Sequence, residues 1–331
     1  MKPLLLLSIL LASCANKSAN PKVRVAIAGT GLQIYSMPFT LAHTLGFYQE
    51  EGVDVELEHL PSLPKSLQAL VGGSVDVAGL AYLQNIQIAA EGQHIRSFFL
   101  STRRAGHMLI VSPAATSRIQ RAEDLKGALI GVVSPGSVTH LFTNFYLAKH
   151  GLQPSDFRTA SIGLGASALA AVESGRVDAA SISGGDHLHL LRRHPNLRIL
   201  VDASTPQGMQ DIYGADTYAG GTLSAKQEWL DRNPDAARRL SRALRRTLAW
   251  IATHQPAEIR DKLPDHLRTQ DPSLDLEIIR WGLASFTSDG AMPNGAPEIV
   301  KRFLDATVEN VRNAKIDLNA TWTNDFLPAA K

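Results

Sequence analysis

Short apolar runs alternate with longer amphipathic stretches through the first two thirds of the chain. Residues 24–28, 75–79 and 128–133 are apolar runs bounded by glycine or polar residues, a pattern typical of buried strands in a parallel sheet. Residues 37–45 and 139–149 carry apolar side chains at helical spacing. The order strand, helix, strand, helix, strand occurs twice, which predicts two α/β units with right-handed crossovers.

One short pattern is present in both units. Residues 69–79 and 171–181 both fit Ala-[Leu/Val]-x-x-Gly-x-Val-Asp-[Val/Ala]-Ala followed by a small residue. Each copy predicts the end of a helix, a glycine in the left-handed conformation that closes it, and a short buried strand. Asp76 and Asp178 stand at the amino ends of these strands, away from the edge where ligands bind, and are interpreted as structural. The two copies predict two lobes of similar plan.

Beyond about residue 215 the spacing of apolar residues becomes helical. Leu240, Leu244 and Leu248 form one stripe, and the five arginines between residues 238 and 246 lie mostly off it. These arginines are interpreted as a solvated outer face of a helix rather than as a nucleic-acid surface.

The first residues are expected to lie outside the fold. Leu4 to Leu11 is an apolar run that is too short to span a bilayer, as in an export signal. Leu11-Ala12-Ser13-Cys14 resembles the bacterial lipobox, in which the cysteine thiol receives a diacylglycerol. Residues 1–13 are therefore predicted to be a lipoprotein signal peptide, Cys14 the lipidation site, and residues 14–21 a polar tether.

Composition narrows the class of protein without naming a function. The chain has 331 residues, of which 44% are hydrophobic, and a net charge of +2. This length corresponds to about two domains, and the near-neutral charge gives no reason to expect nucleic acid as a partner. Cys14 is the single cysteine of the sequence, so no disulfide is expected and stability must come from the cores.

The chemistry is expected in the loops that follow the strands, because ligands bind at the carboxyl edge of open parallel sheets. These loops hold few carboxylates, which argues against a polycationic ligand. The candidate ligand-binding residues of the first unit are Tyr35, Ser36, Met37, Ser62 and Tyr82. Those of the second unit are Ser134, Ser137, Thr139, His140, Ser183, Asp186 and Tyr213.

Two kinds of ligand contact are expected from these loops. Residues 134–139 open a helix whose free main-chain amides and hydroxyls suit an oxyanion, and the alternative is ordinary N-capping by serine or threonine. Tyrosines 35, 82, 213 and 218 are candidates for stacking on a planar or apolar part of a ligand, and the alternative is core packing.

The sequence shows neither a catalytic motif nor a metal-ligating set. It contains no Gly-x-Ser-x-Gly elbow and no phosphate loop of the Walker type. His187 and His189 are two residues apart and share a face only on a strand, and no cysteine or glutamate completes a set of ligands. No metal, no cofactor and no enzymatic activity are expected.

Several segments resemble, in order, the solute-binding proteins of ABC transporters. Gly46-Phe47-Tyr48-x-x-Glu51-Gly52-Val53-x-Val55 is similar to a Gly-Phe-Phe-x-x-Glu-Gly-Leu-x-Val signature of this family. The branch concerned binds nitrate, sulfonates, taurine and compounds related to the thiamine pyrimidine. The similarity continues through residues 67–70, 73–78, 124–127, 130–132 and 233–235.

The resemblance implies a periplasmic binding protein fold of type II. In this fold each of two lobes is a mostly parallel sheet flanked by helices, two crossing strands form a hinge, and the ligand lies between the lobes. Residues 22–110 and 216–331 are expected to form the first lobe, and residues 111–215 the second. The crossings are expected near Leu109 to Ser112 and near Tyr213 to Gly221, where glycines can absorb a hinge rotation.

The expected function is that of a substrate-binding lipoprotein of an ABC importer. It captures a small polar solute that carries an oxyanion, such as a sulfonate, nitrate or a carboxylate, and delivers it to a permease and ATPase complex. The protein is expected to be a monomer, anchored through Cys14 to the periplasmic or cell-surface face of a bacterial membrane.

Other functions stay open at this point. An anchored sensor could bind the same ligand and signal without transport, and a binder of a thiamine-precursor-like heterocycle belongs to the same branch. An exported enzyme on this fold is a further alternative. The related pyrimidine synthases carry a cysteine-rich motif, however, and this chain has only Cys14.

Overall fold

The computed structural model describes residues 20–29 and 32–328. Its strands are β1 (Lys22–Ala28), β2 (Asp54–Leu60), β3 (Val77–Ala81), β4 (Ile95–Leu100), β5 (His107–Val111), β6 (Leu129–Val132), β7 (Arg158–Ser161), β8 (Ala179–Ser183), β9 (Ile199–Asp202) and β10 (Gly221–Lys226). Its α-helices are α1 (Met37–Thr44), α2 (Phe47–Glu50), α3 (Leu63–Gly72), α4 (Tyr82–Ala90), α5 (Val138–Lys149), α6 (Ala166–Glu173), α7 (Asp186–Arg193), α8 (Pro206–Tyr213), α9 (Gln227–Arg232), α10 (Pro234–Thr253), α11 (Pro256–Lys262), α12 (Pro272–Leu283), α13 (Ala296–Thr307) and α14 (Glu309–Asn313). Within these residues no helix is both long enough and apolar enough to cross a membrane. The predicted signal peptide, Cys14 and most of the tether lie outside the described residues.

The strands form two five-stranded sheets of the same plan, in the orders β2-β1-β3-β10-β4 and β7-β6-β8-β5-β9. In each sheet the first three strands are parallel, and the fourth, β10 or β5, runs antiparallel to both of its neighbours. Helices flank both sheets, with α3 packed on the first and α5 and α6 on the second. The predicted α/β fold class is confirmed, and each sheet is mixed because one of its five strands is reversed.

The reversed strand of each sheet follows a passage of the chain between the sheets. Residues 101–106 lead from β4 to β5, and residues 214–220 lead from α8 to β10. We call these the first and second crossing segments, and we call the parts of the molecule built on the two sheets the first and second lobe.

The first crossing segment lies earlier than the sequence analysis placed it. Leu109, Ile110 and Val111 are 0% exposed and belong to β5, which pairs with β8 and β9 in the second sheet. The expected crossing near Leu109 to Ser112, and the lobe boundary between residues 110 and 111, therefore fall within a central strand. The chain crosses at the more polar residues ahead of this apolar run.

The two crossing segments run side by side and bond to each other. Tyr218 N donates to Arg103 O at 2.8 Å, and Gly220 N donates to Thr102 O at 3.0 Å. The lobes are thus linked by two adjacent, hydrogen-bonded lengths of backbone, an arrangement suited to a hinge.

The repeated sequence pattern occupies equivalent places in the two lobes. Gly73 closes α3 with a φ of 77°, and Gly175 follows α6 with a φ of 69°. Glycine adopts this left-handed conformation without the clash that a Cβ would cause. The strands that follow, β3 and β8, are both third in their sheets. The prediction of two units of similar plan is confirmed.

Asp76 and Asp178 have the same structural role. Asp76 accepts hydrogen bonds from the main-chain N–H of Arg24 at 2.9 Å and from its guanidinium at 3.0 Å. Asp178 accepts the N–H of Leu129 at 2.8 Å and pairs with Arg118. Burial alone would raise the pKa of Asp76, but the hydrogen bonds from Arg24 outweigh it and hold the pKa below its ordinary value. Each carboxylate fastens the neighbouring strand of its sheet, β1 or β6.

The turn at residues 46–52 docks helix α10 onto the first lobe. Glu51 accepts hydrogen bonds from Arg242 Nε at 2.7 Å and from Arg246 Nη1 at 2.9 Å. Arg239 Nη1 donates to the last carbonyl of the turn at 3.1 Å. Arg246 is exposed and Arg239 and Arg242 are half-buried, so this face of α10 is partly solvated as interpreted, but it also bonds the turn, whose acceptors the local sequence pattern does not reveal.

Two sets of side-chain contacts join the lobes beside the crossing segments. One is apolar: Phe303 of α13 lies 5.1 Å from Phe145 of α5, measured between ring centroids. The other is polar: Arg192 of α7 bonds Asp271, at the start of α12, at 2.6 Å, and Glu277 of α12 at 2.8 Å. We call this second set the closing surface. It is formed by α7 and α12, each with the residue that precedes it.

Candidate functional site

A cavity of about 230 Å³ lies between the two lobes. The loops after β1, β2 and β3 and helix α12 line it from the first lobe, and the loops after β6, β7 and β8 line it from the second. Both crossing segments contribute to its wall. Among its lining residues are Tyr35, Ser62, Leu63, Arg104, His107, Ser134, Ser137, Thr139, Ser183, Tyr218 and Trp281.

The position of the cavity follows from the topology of the sheets. Tyr35 lies beyond the end of β1, Ser62 beyond β2, Ser134 beyond β6, and Ser183 is the last residue of β8. The carboxyl edges of both sheets therefore border the same cavity. This is the place where α/β folds bind small molecules.

Half of the predicted ligand-binding residues line the cavity. They are Tyr35, Ser62, Ser134, Ser137, Thr139 and Ser183. Burial raises the pKa of Tyr35, so its hydroxyl is uncharged at neutral pH and available as a donor. The other lining candidates include four residues of the second lobe that carry hydroxyls, so polar residues of both lobes border the same space.

Three candidates of the first lobe make other contacts and are not among the lining residues. Ser36 Oγ donates to Gln33 O of its own turn at 3.2 Å. Met37 is 2% exposed and belongs to the apolar core of the first lobe. Tyr82 has its hydroxyl 2.5 Å from Thr321 Oγ1. Their sequence positions place them near the strand ends, but protein partners take up their side chains.

Three candidates of the second lobe also lie outside the lining. His140 Nδ1 accepts an N–H of the turn before α5 at 3.0 Å. Asp186 Oδ2 accepts the N–H of Gly165 at 3.0 Å. Tyr213 packs its ring 4.6 Å from that of Tyr218. These side chains hold loops and the core in place behind the cavity.

Asp186→Asn is expected to raise the free energy of unfolding by an amount that grows with pH. Burial raises the pKa of the Asp186 carboxyl, although the N–H of Gly165 and the charge of His189 oppose the shift. The folded protein therefore holds this proton more tightly than the unfolded chain, whose value is 3.8. Wild-type stability is then lost as the pH rises from that value through the raised pKa.

Asparagine removes this titration and keeps an oxygen for the N–H of Gly165. Urea unfolding of wild type and Asp186→Asn from about pH 4 to about pH 8 measures the difference in the free energy of unfolding. A difference that stays constant over this range would contradict the assignment of a raised pKa.

The start of α5 is capped by its own side chains. Ser137 Oγ accepts the N–H groups of Ser134 and His140, both at 3.3 Å. Thr139 Oγ1 accepts the N–H of Val133 at 2.9 Å. Of the two interpretations of residues 134–139, N-capping is thus observed. Only the first N–H groups of the helix, which no intrahelical carbonyl accepts, stay available to a ligand there.

Sequence reasoning missed several lining residues, and three of them matter most for the chemistry of the cavity. Arg104 and His107 come from the first crossing segment and the start of β5, and Trp281 comes from α12. The pair Arg103-Arg104 directly ahead of an apolar strand was the one available signal for the crossing. Trp281 lies in a helical pattern of apolar residues that is typical of core packing, so nothing in its neighbourhood marked it.

The electrostatics of the cavity favour an anion. No aspartate or glutamate among the described residues lines it, whereas Arg104 does. Burial lowers the pKa of His107 to about 4, so its imidazole is neutral at neutral pH. Burial also raises the pKa of Tyr218, which keeps its hydroxyl uncharged. The fixed charge of the described lining is therefore the positive charge of Arg104.

Comparison with known proteins identifies relatives of this chain in sequence and in fold. A family model described as NMT1/THI5 like matches residues 33–259. YtlA of Bacillus subtilis (strain 168), which carries a provisional assignment as a binding protein, is 23% identical over 311 residues, or 90% of this chain and 87% of YtlA. A solved structure from Bordetella bronchiseptica RB50 is 33% identical, with a TM-score of 0.82 over 92% of this chain and 95% of that one. The alkanesulfonate-binding protein SsuA from Xanthomonas axonopodis pv. citri, solved with bound MOPS, is 17% identical and shares the fold, with a TM-score of 0.68 over 91% of this chain and 98% of SsuA.

Proposed function

Because this chain belongs to the NMT1/THI5-like family and has the fold of an ABC-type solute-binding protein, we propose that it is the substrate-binding component of an ABC importer. In this proposal a small solute with an oxyanion, such as a sulfonate, nitrate or a carboxylate, binds between the lobes. The closed, loaded protein then delivers it to a permease and ATPase complex.

The observation that carries this proposal is the cavity between the lobes, at the carboxyl edges of both sheets. Its wall includes residues of both lobes and of the two crossing segments. A ligand in this space contacts both lobes at once, so it binds the closed arrangement more tightly than an open one. That difference in affinity is sufficient for a transporter to distinguish loaded from empty protein, and no covalent step is needed.

The charge of the cavity supports the oxyanion. Arg104 lines it and the described lining residues include no carboxylate. The alkanesulfonate-binding protein of the same fold was solved with MOPS, itself a sulfonate. A binding role rather than catalysis is supported by YtlA and the alkanesulfonate-binding protein SsuA, which are both described as binding proteins.

The remaining parts of the proposal concern location and assembly. Cys14 carries a lipid that anchors the protein at the periplasmic or cell-surface face of a bacterial membrane, and the protein acts as a monomer. Metabolic labelling with palmitate tests the anchor, because Cys14→Ser should abolish the label and release the protein from the membrane.

The central test is identification of the solute that co-purifies with the natively expressed protein. We expect native mass spectrometry to show one small organic or inorganic anion, and small-angle scattering to show a more compact protein when it is bound. Deletion of the gene should then abolish uptake of that solute by cells. A co-purified cation, or chemical conversion of the solute by the protein, would contradict the proposal. Unchanged uptake with a lost transcriptional response would favour the sensor.

A further inference from the structure

Three buried polar atoms in the wall of the cavity have no hydrogen-bond partner among the described residues. They are Arg104 Nε, His107 Nδ1 and the hydroxyl of Tyr218. All three residues line the cavity, and we call them the crossing cluster. Most buried polar groups in native proteins are paired, because an unpaired one lowers stability. Three such groups in one wall therefore call for a partner that the described residues do not provide.

The crossing segments bring the cluster together. Tyr218 N donates to Arg103 O at 2.8 Å, which sets Tyr218 beside Arg104 across the paired segments. His107 follows three residues later, as the first residue of β5. Its ring lies 5.6 Å from that of Phe142, and the ring of Tyr218 lies 4.6 Å from that of Tyr213. Aromatic packing thus fixes the rings while their polar atoms stay unpaired.

Arg104 differs from the arginines that hold the fold. Arg192 and Arg242 each bond a carboxylate, whereas Arg104 has a hydrogen bond from Nη1 to the carbonyl of Ser204 at 3.2 Å and no carboxylate among the described residues as a partner. A guanidinium presents five donors in a fixed fork and binds carboxylates and other oxyanions through two parallel bonds. The charge of Arg104 is therefore uncompensated beside the cavity.

We infer that Arg104, His107 and Tyr218 form the subsite that binds the charged group of the ligand, an inference that rests on the proposed function. The subsite combines one positive charge with two neutral groups that can each donate a hydrogen bond. It suits the head group of a sulfonate or carboxylate, which offers two or three acceptor oxygens. The capped start of α5 has most of its donors already bonded and is the weaker candidate.

The rest of the cavity wall defines the other part of the ligand. Leu63, Leu80, Leu83 and Trp281 are among its lining residues. The volume of about 230 Å³ is many times the ~15 Å³ that one water needs by the same kind of measure. The cavity therefore has room for an organic body beside the head group. The structure assigns the ligand to the organic sulfonates or carboxylates rather than to bare inorganic anions.

Arg104→Gln tests the charge of the subsite. Calorimetry with 1-butanesulfonate and butanoate should show binding to the wild type that is about tenfold or more weaker in Arg104→Gln. Arg103→Gln is the matched control, because Arg103 is the exposed neighbour and does not line the cavity. Its affinity for both probes should stay within about twofold of the wild type.

Tyr218→Phe tests the subsite independently of the charge and of any folding defect in Arg104→Gln. It removes only a hydroxyl for which the described part of the chain offers no hydrogen-bond partner. The melting temperature of the empty protein should therefore stay the same or rise, while 1-butanesulfonate binds several-fold more weakly. A purely structural role of this hydroxyl would change both quantities in the same direction.

The outcomes separate this inference from the proposed function. If the wild type prefers 1-butanol or butylamine to the two anions, the oxyanion ligand of the proposed function fails, and the subsite fails with it. If the wild type binds 1-butanesulfonate and both variants bind it equally well, only the subsite is overturned. If neither anion binds the wild type, the assignment to organic sulfonates or carboxylates is overturned.

Discussion

Phe303→Ala is expected to lower the free energy of unfolding by about 3–5 kcal/mol. Phe303 is 1% exposed, and its ring centroid lies 5.1 Å from that of Phe145 and 5.8 Å from that of Tyr213. Alanine would leave a cavity among these rings. The surrounding helices cannot close it easily, because α13 is held between α4 of the first lobe and α5 of the second. Urea unfolding measures the loss.

The same substitution should also change how cooperatively the protein unfolds. The core around Phe303 contains Leu100 of β4 and Leu109 of β5, so it is continuous between the two sheets. We expect a single unfolding transition for the wild type and separate transitions of the two lobes for Phe303→Ala. Phe326→Ala is the control, because the Phe326 ring packs at 6.1 Å on Phe98 of the first lobe. An equal loss of stability in both variants would contradict a special role of the shared core.

The architecture could be predicted because its signals are local. The turn at Gly73 needs a left-handed residue, and the strand that follows needs a buried apolar run; both requirements are met again at Gly175. In each unit, the spacing of the apolar residues indicates which segments are strands, which are helices, and in what order they follow. The first crossing segment has no regular spacing of apolar residues. The apolar run that follows it is as compatible with a crossing segment as with a central strand of a sheet.

The sequence predicted the location of the candidate site, at the carboxyl edges of the sheets. It predicted less well which side chains line that site. The edge rule placed Ser62 and Ser183 correctly in the cavity lining. It could not tell that Tyr82 finds its partner in Thr321, 239 residues away. Which of two neighbouring side chains faces the cavity depends on such distant partners, and a local pattern does not contain them.

Arg104 is the opposite case: it lines the cavity, but the sequence did not predict it. It lies on a segment that is neither strand nor helix. The spacing of apolar residues therefore does not indicate whether its side chain is directed to the core, to solvent or to the cavity. Only the pairing of the two crossing segments, through Tyr218 N and Arg103 O at 2.8 Å, brings it to the cavity wall. The candidate serines were chosen for their type and their position after strands, and a basic residue in a crossing meets neither criterion.

Gly185→Ala is expected to weaken binding of the co-purified solute about five- to 150-fold while leaving the lobes folded. Gly185 precedes α7 in the second lobe, and a Cβ at this position would stand 2.5–2.8 Å from three side-chain carbons of Ile278 on α12. Ile278 is branched at Cβ, so rotation about its first side-chain bond cannot clear all three contacts. The backbone of Gly185, at φ −87° and ψ 1°, accepts alanine without strain.

The added methyl group acts on the closed protein because the closing surface is the contact that can part. Its bonds, from Arg192 to Asp271 at 2.6 Å and to Glu277 at 2.8 Å, can be exchanged for bonds to water at little cost. The apolar contacts at Phe303 cannot be replaced by bonds to water, so they keep the lobes together. A clash on the closing surface therefore penalises the closed state alone, and the affinity falls by the same free energy.

The decisive comparison removes the clash by a second substitution, made in the first lobe. Ile278→Ala makes room for the methyl group, so Gly185→Ala combined with Ile278→Ala should bind the solute as well as Ile278→Ala alone. Gly72→Ala is the matched control, because Gly72 ends α3 and a Cβ there would meet nothing within 4 Å. Scattering should show Gly185→Ala more expanded than the wild type at equal solute concentration. If Ile278→Ala does not restore the affinity, the methyl group acts elsewhere, and closure between α7 and α12 is not what holds the ligand.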